Sequence, residues 1–291
     1  MEVTLLERIA TPATVPHSAA LWQPDIESFV VNRYLEIEVD LEFLGPRLAV
    51  LRSGMKTITD KDGRGDFPFR TFHREAYGPK YDQEVGLKHE TRDGENKWVF
   101  QFIRHADNPA LFNHSEYGAF LCAFADIDSM ACNISLALAE ALDESSYRDL
   151  YIGSMRERAE GGRCVHRGLR YLAVHSEQAP HDAYPHGDRS LWSIHLGSSH
   201  NGLVLFSREG GQVATNELDN GLITVFLGRK FAAATRDTTM CCPHGVKTDR
   251  AIREDRYAFV SFFHPAVLAS DVEWLAANDD ALKAYEHSLT I

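Results

Sequence analysis

A mainly β fold with flanking helices is what this sequence predicts, and three observations predict it. After Gly162, short runs rich in Val, Ile, Leu and Phe are cut by turns carrying Gly or Asn: Ser199-His200-Asn201-Gly202, Glu209-Gly210-Gly211 and Asp219-Asn220-Gly221. Short strands separated by such turns indicate a sandwich or barrel. Upstream, Ser115–Leu142 places Tyr117, Phe120, Phe124, Ile127, Ile134 and Leu138 at helical spacing. No linker composition, repeat or low-complexity tract interrupts the 291 residues, which read as one domain.

Taken in order, Phe29-Val30-Val31 and Leu48-Ala49-Val50-Leu51 are too short for periodicity to separate strand from helix. Residues 54–96 are polar and turn-rich and read as a long irregular segment of the kind that forms lids or binding loops. Lys61, Arg64, Arg70, Arg74 and Lys80, with His73, cluster there, either as a carboxylate clamp or as a solvated loop balanced by Asp and Glu. Lys97–Ile103 is a strand by its β-branched and aromatic content. Ser115 is a candidate cap for the long helix, and Cys122 and Cys132 within it read as packing thiols. A second helix is expected near Ser145–Glu160, ending at Gly161-Gly162. Strands are then expected at Leu169–Val174, Leu191–Leu196, Leu203–Phe206, Gln212–Ala214, Leu222–Leu227, Phe231–Thr235 and Tyr257–Phe263, and a helix over Val267–Ser288.

Composition narrows the function. Hydrophobic content of 44% and charged content of 25% are ordinary for a globular protein. No uninterrupted apolar run reaches the roughly 18 residues of a membrane helix, and the start lacks the pattern of a signal peptide. Five cysteines without a regular framework suit a reducing compartment, so the cytoplasm is expected. The net charge of −12, without a basic stripe, argues against nucleic acid as partner. A small-molecule substrate is expected, an anionic one included.

The chemistry centres on His186-Gly187-Asp188, whose continuation through Leu196 reads as a strand. On a strand, residues i and i+2 share a face, so an imidazole and a carboxylate can aim at one point. His244, in Cys241-Cys242-Pro243-His244, supplies a third ligand after a strand-rich interval. Two His and one carboxylate on one face of a metal form the facial triad of non-haem Fe(II) oxygenases. Arg256 opens the aromatic stretch Arg256–Phe263, which ends in Phe-Phe-x-Pro.

This ordered set, clearest from about Gly168 to Pro265, resembles the isopenicillin N synthase-like branch of the Fe(II)/2-oxoglutarate-dependent oxygenases. Leu169-Arg170-Tyr171 before the triad and Gly202-Leu203-Val204 after it add to the resemblance. The resemblance implies a double-stranded β-helix, or jelly roll, with the metal between its sheets. It implies a helix-and-strand region over 1–162, a core with the metal site over 163–265 and a covering C-terminal helix over 266–291. It implies Fe(II), 2-oxoglutarate as co-substrate, and O2. His186, Asp188 and His244 would be the metal ligands, and Arg256 would grip the distal carboxylate of 2-oxoglutarate. The activity implied is hydroxylation, desaturation or oxidative cyclisation at an unactivated C–H of a small metabolite, in a biosynthetic role. The carboxylate of Asp188 disfavours halogenation, since halogenating relatives lack it.

Two departures concern the co-substrate. The family's Arg-x-Ser is Arg256-Tyr257-Ala258 here, and its Asn-x-Tyr element has no Asn in Leu169–Val174. Tyr171 is the candidate replacement hydroxyl. Competing ligands fare worse: adjacent His181 and Asp182 point to opposite faces of a strand, His195 lies at odd spacing from Asp188, and His200 falls in a turn. His166, His175 and His264 read as surface or core residues. The Cys241-Cys242 pair lacks the second pair a zinc site of that type needs. Trp192, Ile194, Phe226 and Phe262 are candidates for the pocket wall. Two other readings are an Fe(II)/O2 oxidase of the same fold that does not use 2-oxoglutarate, and a non-catalytic β-barrel binding protein.

Overall fold

β-branched and aromatic residues with Gly-bearing turns do build the sheets, and a computed structural model gives their register. It describes residues 24–62, 86–92, 95–104, 117–173, 183–208, 210–214, 221–247, 249, 252–266 and 268–289. Eleven strands are present among them: β1 Tyr34–Glu38, β2 Gly86–Arg92, β3 Glu95–Phe102, β4 Arg163–Tyr171, β5 Ala183–His186, β6 Trp192–Ser198, β7 Leu203–Phe206, β8 Gln212–Ala214, β9 Leu222–Leu227, β10 His244–Val246 and β11 Arg256–His264. They form a seven-stranded sheet in the order β1-β9-β6-β11-β4-β3-β2 and a four-stranded sheet in the order β5-β10-β7-β8. All pairs are antiparallel. This is the double-stranded β-helix.

Among the described residues six α-helices accompany the sheets: α1 Ile26–Asn32, α2 Leu41–Asp62, α3 Gly118–Glu144, α4 Met155–Glu160, α5 Arg229–Thr235 and α6 Ala269–His287. Helix α3 is long and apolar enough to cross a membrane, although no uninterrupted apolar run suggests it. Phe120, Phe124, Ile127, Ala131 and Leu138 are buried in the core that α3 shares with α2 and the outer face of the large sheet. Burying such side chains is worth about 1.5–3 kcal/mol each for the larger ones. It therefore packs as a core helix.

Several expectations change. Phe231–Thr235 is helix α5 rather than a strand. Phe-Ala-Ala-Ala favours helix, because alanine loses no side-chain entropy there. Phe29-Val30-Val31 lies in α1 and Leu48–Leu51 in α2, which runs on to Asp62 and takes the first part of the segment read as irregular. Strand β2 takes another part of it. The helix expected at Ser145–Glu160 is a 3-10 turn at Arg148–Leu150 followed by α4. Ser115, Arg64, Arg70, His73, Arg74 and Lys80 lie outside the described residues.

Strands alternate their faces, and this sorts the large sheet. Cys164, Phe259, Phe263, Trp192 and Ile194 face the helices, whereas Leu169, Tyr171, Ala258 and Phe226 face the small sheet. One buried cation ties the layers together. Arg33, fully buried, donates from Nη1 to the carbonyls of Thr239 and Cys241 (both 2.9 Å) and to Tyr285 Oη (3.0 Å), and from Nη2 to the carbonyl of Phe206 (2.6 Å). Its contacts join α1 to β7, to the approach to β10 and to α6. Arg33→Met should leave buried carbonyls without a donor and lower the unfolding free energy by about 3 kcal/mol. Urea denaturation measures this, and an unchanged midpoint would refute the role.

Candidate metal centre

Antiparallel pairing of β5 with β10 sets His186 directly opposite His244. Their ring centroids are 4.5 Å apart. Asp188 is not on the strand with His186: β5 ends at His186 and β6 starts only at Trp192, so Asp188 lies in the turn between them. The same-face argument for His-x-Asp is corrected here, while the convergence it predicts is present. The candidate ligand atoms of His186, Asp188 and His244 all lie within 4.8 Å of one another.

Backbone carbonyls aim both imidazoles. His186 Nδ1 is 2.8 Å from the Tyr184 carbonyl and His244 Nδ1 is 3.4 Å from the Cys242 carbonyl. With Nδ1–H donating, the lone pair of each Nε2 is left for a metal, the arrangement in which a partner on the far nitrogen orients the ligand. Nε2 of His186 is 3.8 Å from Asp188 Oδ1, and Nε2 of His244 is 3.5 Å from Asp188 Oδ2. A cation with bonds of about 2.1 Å fits between them. Asp188 is held in turn: Ser193 Oγ donates to Oδ2 at 2.5 Å, and the Arg229 backbone N–H donates to the Asp188 carbonyl at 2.7 Å.

Helix α6 closes the back of this turn. Arg229 Nε donates to Glu286 Oε1 at 2.9 Å, and its Nη2 is 2.5 Å from Oε2. Between the two ligands Gly187 is required, because a Cβ there would collide with Cys241 Sγ and come 2.8 Å from Glu286 Oε1.

The electrostatics suit a ligand set. Burial pushes the Asp188 carboxyl up, but His244, His186 and the Ser193 hydrogen bond outweigh it, so its pKa falls below the ordinary 3.8. Burial pushes His244 down to about 4, against the pull of Asp188, which keeps the imidazole neutral and able to bind a metal.

The centre opens into a pocket of about 650 Å³, its mouth included, between the two sheets. Arg256, 2% exposed, and Tyr171, 7% exposed, both line it. They are cross-strand partners, and the guanidinium carbon of Arg256 lies 5.3 Å from the centre of the Tyr171 ring. Arg256 Nε donates to the His200 carbonyl at 3.1 Å. Ala258 sits on the same face and makes that part of the lining apolar.

Some pocket residues escape a reading of the sequence. Lys97, Arg167 and Glu90 line the pocket. Phe226 and Phe262 line it as expected, but Trp192 and Ile194 face the helical core instead. His195 lines the pocket, against expectation, because counting faces from Asp188 fails when Asp188 is off the strand. Ser193 could have been found by counting back from His195, since the two share a face of β6. His175, His181 and Asp182 lie outside the described residues.

No protein-family model matches the sequence, and no curated protein matches it. Solved structures do. A Shewanella oneidensis protein assigned as an oxygenase is similar over 92% of this chain and 97% of its own, with 14% identity and a TM-score of 0.67. A Neurospora crassa protein, crystallised full-length with alpha-KG and 5-formyluracil, is similar over 84% of this chain and 80% of its own, at 15% identity and a TM-score of 0.57. The Arabidopsis thaliana dioxygenase for auxin oxidation 1, solved as its 2-oxoglutarate complex, is similar over 81% and 84%, at 14% identity and a TM-score of 0.55. At these identities the likeness is one of fold.

The geometry can be tested at two side chains. Ser193→Ala removes the hydrogen bond that orients Asp188 and should weaken Fe(II) binding about 10- to 100-fold; calorimetric titration under anaerobic conditions reads it, and unaltered affinity would refute it. His264, which accepts from Lys230 Nζ at 3.0 Å, is pushed down to about 3 by burial first, then by Lys230, Arg167 and Arg163. The unfolded chain takes up this proton near the ordinary 6.5, so the residue's contribution is complete above that pH and drains away as pH falls towards 3. His264→Gln should flatten the acid limb of the stability curve by up to about 1.4 kcal/mol per pH unit. Parallel acid limbs in denaturation at several pH values would contradict this.

Proposed function

We propose that this chain is a non-haem Fe(II)- and 2-oxoglutarate-dependent dioxygenase of the isopenicillin N synthase-like kind, oxidising an unactivated C–H of a small metabolite in a biosynthetic role. The observation that carries the reading is the convergence of two Nε2 atoms and an ionised carboxylate at one end of a pocket that also holds a buried arginine. The similarity of fold to proteins solved with 2-oxoglutarate or alpha-KG supports it. His186, Asp188 and His244 would hold Fe(II), whose chemistry with 2-oxoglutarate and O2 supplies the oxidising power.

The chain's own side chains do the rest. Arg256 presents a planar fork that matches a carboxylate with two parallel hydrogen bonds, and it stays charged when buried. Tyr171 stands beside it as the hydroxyl that replaces the missing serine. Val99, Leu169 and Ala258 contribute apolar lining to the pocket. Arg167, whose Nε donates to Gln101 Oε1 at 3.0 Å, lies near enough to Asp188 to lower its pKa. It therefore offers a second cation on the metal side, fit to orient an acidic group of the substrate.

Anaerobic addition of Fe(II) and then 2-oxoglutarate should produce a weak visible charge-transfer band. His186→Ala should abolish it. Arg256→Ala should raise the half-saturating 2-oxoglutarate concentration about 10- to 100-fold, the loss expected of a charge-assisted hydrogen-bonded pair. Stoichiometric Fe(II) binding without a band would turn the reading towards the oxidase that dispenses with 2-oxoglutarate, which the Arg-x-Ala departure allows. No Fe(II) binding would leave a binding protein.

A further inference from the structure

The opposite face of β4 carries a second set of metal-ligand side chains, away from the pocket. Cys164 and His166, two apart on the strand, point together at α3. Asp128 and Cys132, four apart on α3, point back at them. Both spacings are those that place two side chains on one face. Cys132 Sγ is 3.7 Å from Cys164 Sγ and 4.0 Å from Asp128 Oδ1. His166 Nε2 is 2.9 Å from Asp128 Oδ1. The ligand atoms of Asp128, Cys164 and His166 lie within 4.8 Å of one another.

We propose that Asp128, Cys132, Cys164 and His166 form a tetrahedral site for a divalent cation of the zinc type, clipping α3 to β4. A tetrahedron with Zn–S bonds of about 2.3 Å has an S–S edge of about 3.8 Å, which the two sulfurs already match. His166 has the partner that an oriented ligand needs: its Nδ1 is 2.7 Å from Ser261 Oγ on β11. Cys164 and His166 are each 1% exposed or less, so no water competes at the inner corner. The Asp128 side chain is 13% exposed and Cys132 is half-buried, which leaves the cation a way in.

The balance is simple. Both thiols release their protons to solvent, and His166 keeps one N–H, now on Nδ1, where Ser261 Oγ accepts it. Two thiolates and a carboxylate exceed the charge of the cation by one, and Arg104 Nη1, 4.0 Å from Asp128 Oδ2, offsets it. No thiol belongs to the His186-Asp188-His244 set, and this separates the two centres spectroscopically.

The test uses Co2+ alone as the probe, added to the reduced full-length protein. Thiolate-to-cobalt charge-transfer absorption in the near ultraviolet is expected in the wild type and in His186→Ala, and its loss in Cys164→Ala. Cys132→Ser, at the half-buried edge of the site, should also lose it while circular dichroism stays unchanged, which guards against a variant that fails to fold. Ser261→Ala should retain the band with Co2+ affinity lowered about 10- to 100-fold. Zn2+ should erase the band stoichiometrically. Absence of thiolate absorption in the wild type would overturn the proposal. So would its survival in both cysteine variants, which would move the thiolates to Cys241 and Cys242. A Cys132–Cys164 disulfide in protein incubated with Zn2+ would overturn it too.

Discussion

The pairing of β5 with β10 is the constraint on which the site depends. Because side chains alternate along a strand, a slip of one residue would turn either histidine to the other face of the small sheet. The register that opposes His186 to His244 is short, only a few residues on each strand, and too brief to hold itself. It is held from behind. The Asp188 turn is pinned by Ser193, by the Arg229 backbone and by the Arg229–Glu286 ion pair, and Gly187 lets that pair and the Cys241 sulfur approach closely. A charge pair of this burial adds little net stability but is costly to break from one side. Its value here is positional.

Much of the fold, and the residues of the candidate metal centre, are legible in the sequence. Strands β6, β7, β8, β9 and β11, the long helix and the C-terminal helix announce themselves by period and by turn residues, whereas β4 begins earlier than its apolar run suggests and β5 and β10 are too short to announce themselves. His186, Asp188, His244 and Arg256 stand out because few residue types can do their chemistry. What stays hidden has physical reasons. Phe231–Thr235 is too short for period to speak, and alanine propensity decides it. Residues 34–38 and 86–92 carry charged side chains on sheet positions, so composition disguises two strands. His195, Trp192 and Ile194 fall on faces opposite to those expected because a turn, invisible in the sequence, breaks the strand between Asp188 and Trp192.

Strand β4 has a double occupation. Its odd-numbered residues, Arg167, Leu169 and Tyr171, meet the pocket. Its even-numbered residues face away from the pocket, where Arg170 pairs with Asp60 of α2 and with Asp255 just before β11, and His166 pairs with Asp128 of α3. Little slack is left on either side of such a strand, since packed interiors transmit displacement rather than absorb it.

Arg33 reaches partners separated from it by 206, 208 and 252 positions in the chain. Contacts of that span impose a late order of assembly, because the loop they close must be ordered before they return anything. During synthesis the large sheet's early strands can pair while the guanidinium still waits in water. The carbonyls that precede β10, and the tyrosine of α6, reach it only after the segments that carry them have been made. His244 can be brought opposite His186 only after β10 has been made, and a nascent chain would meet metal ions with its second imidazole still out of place.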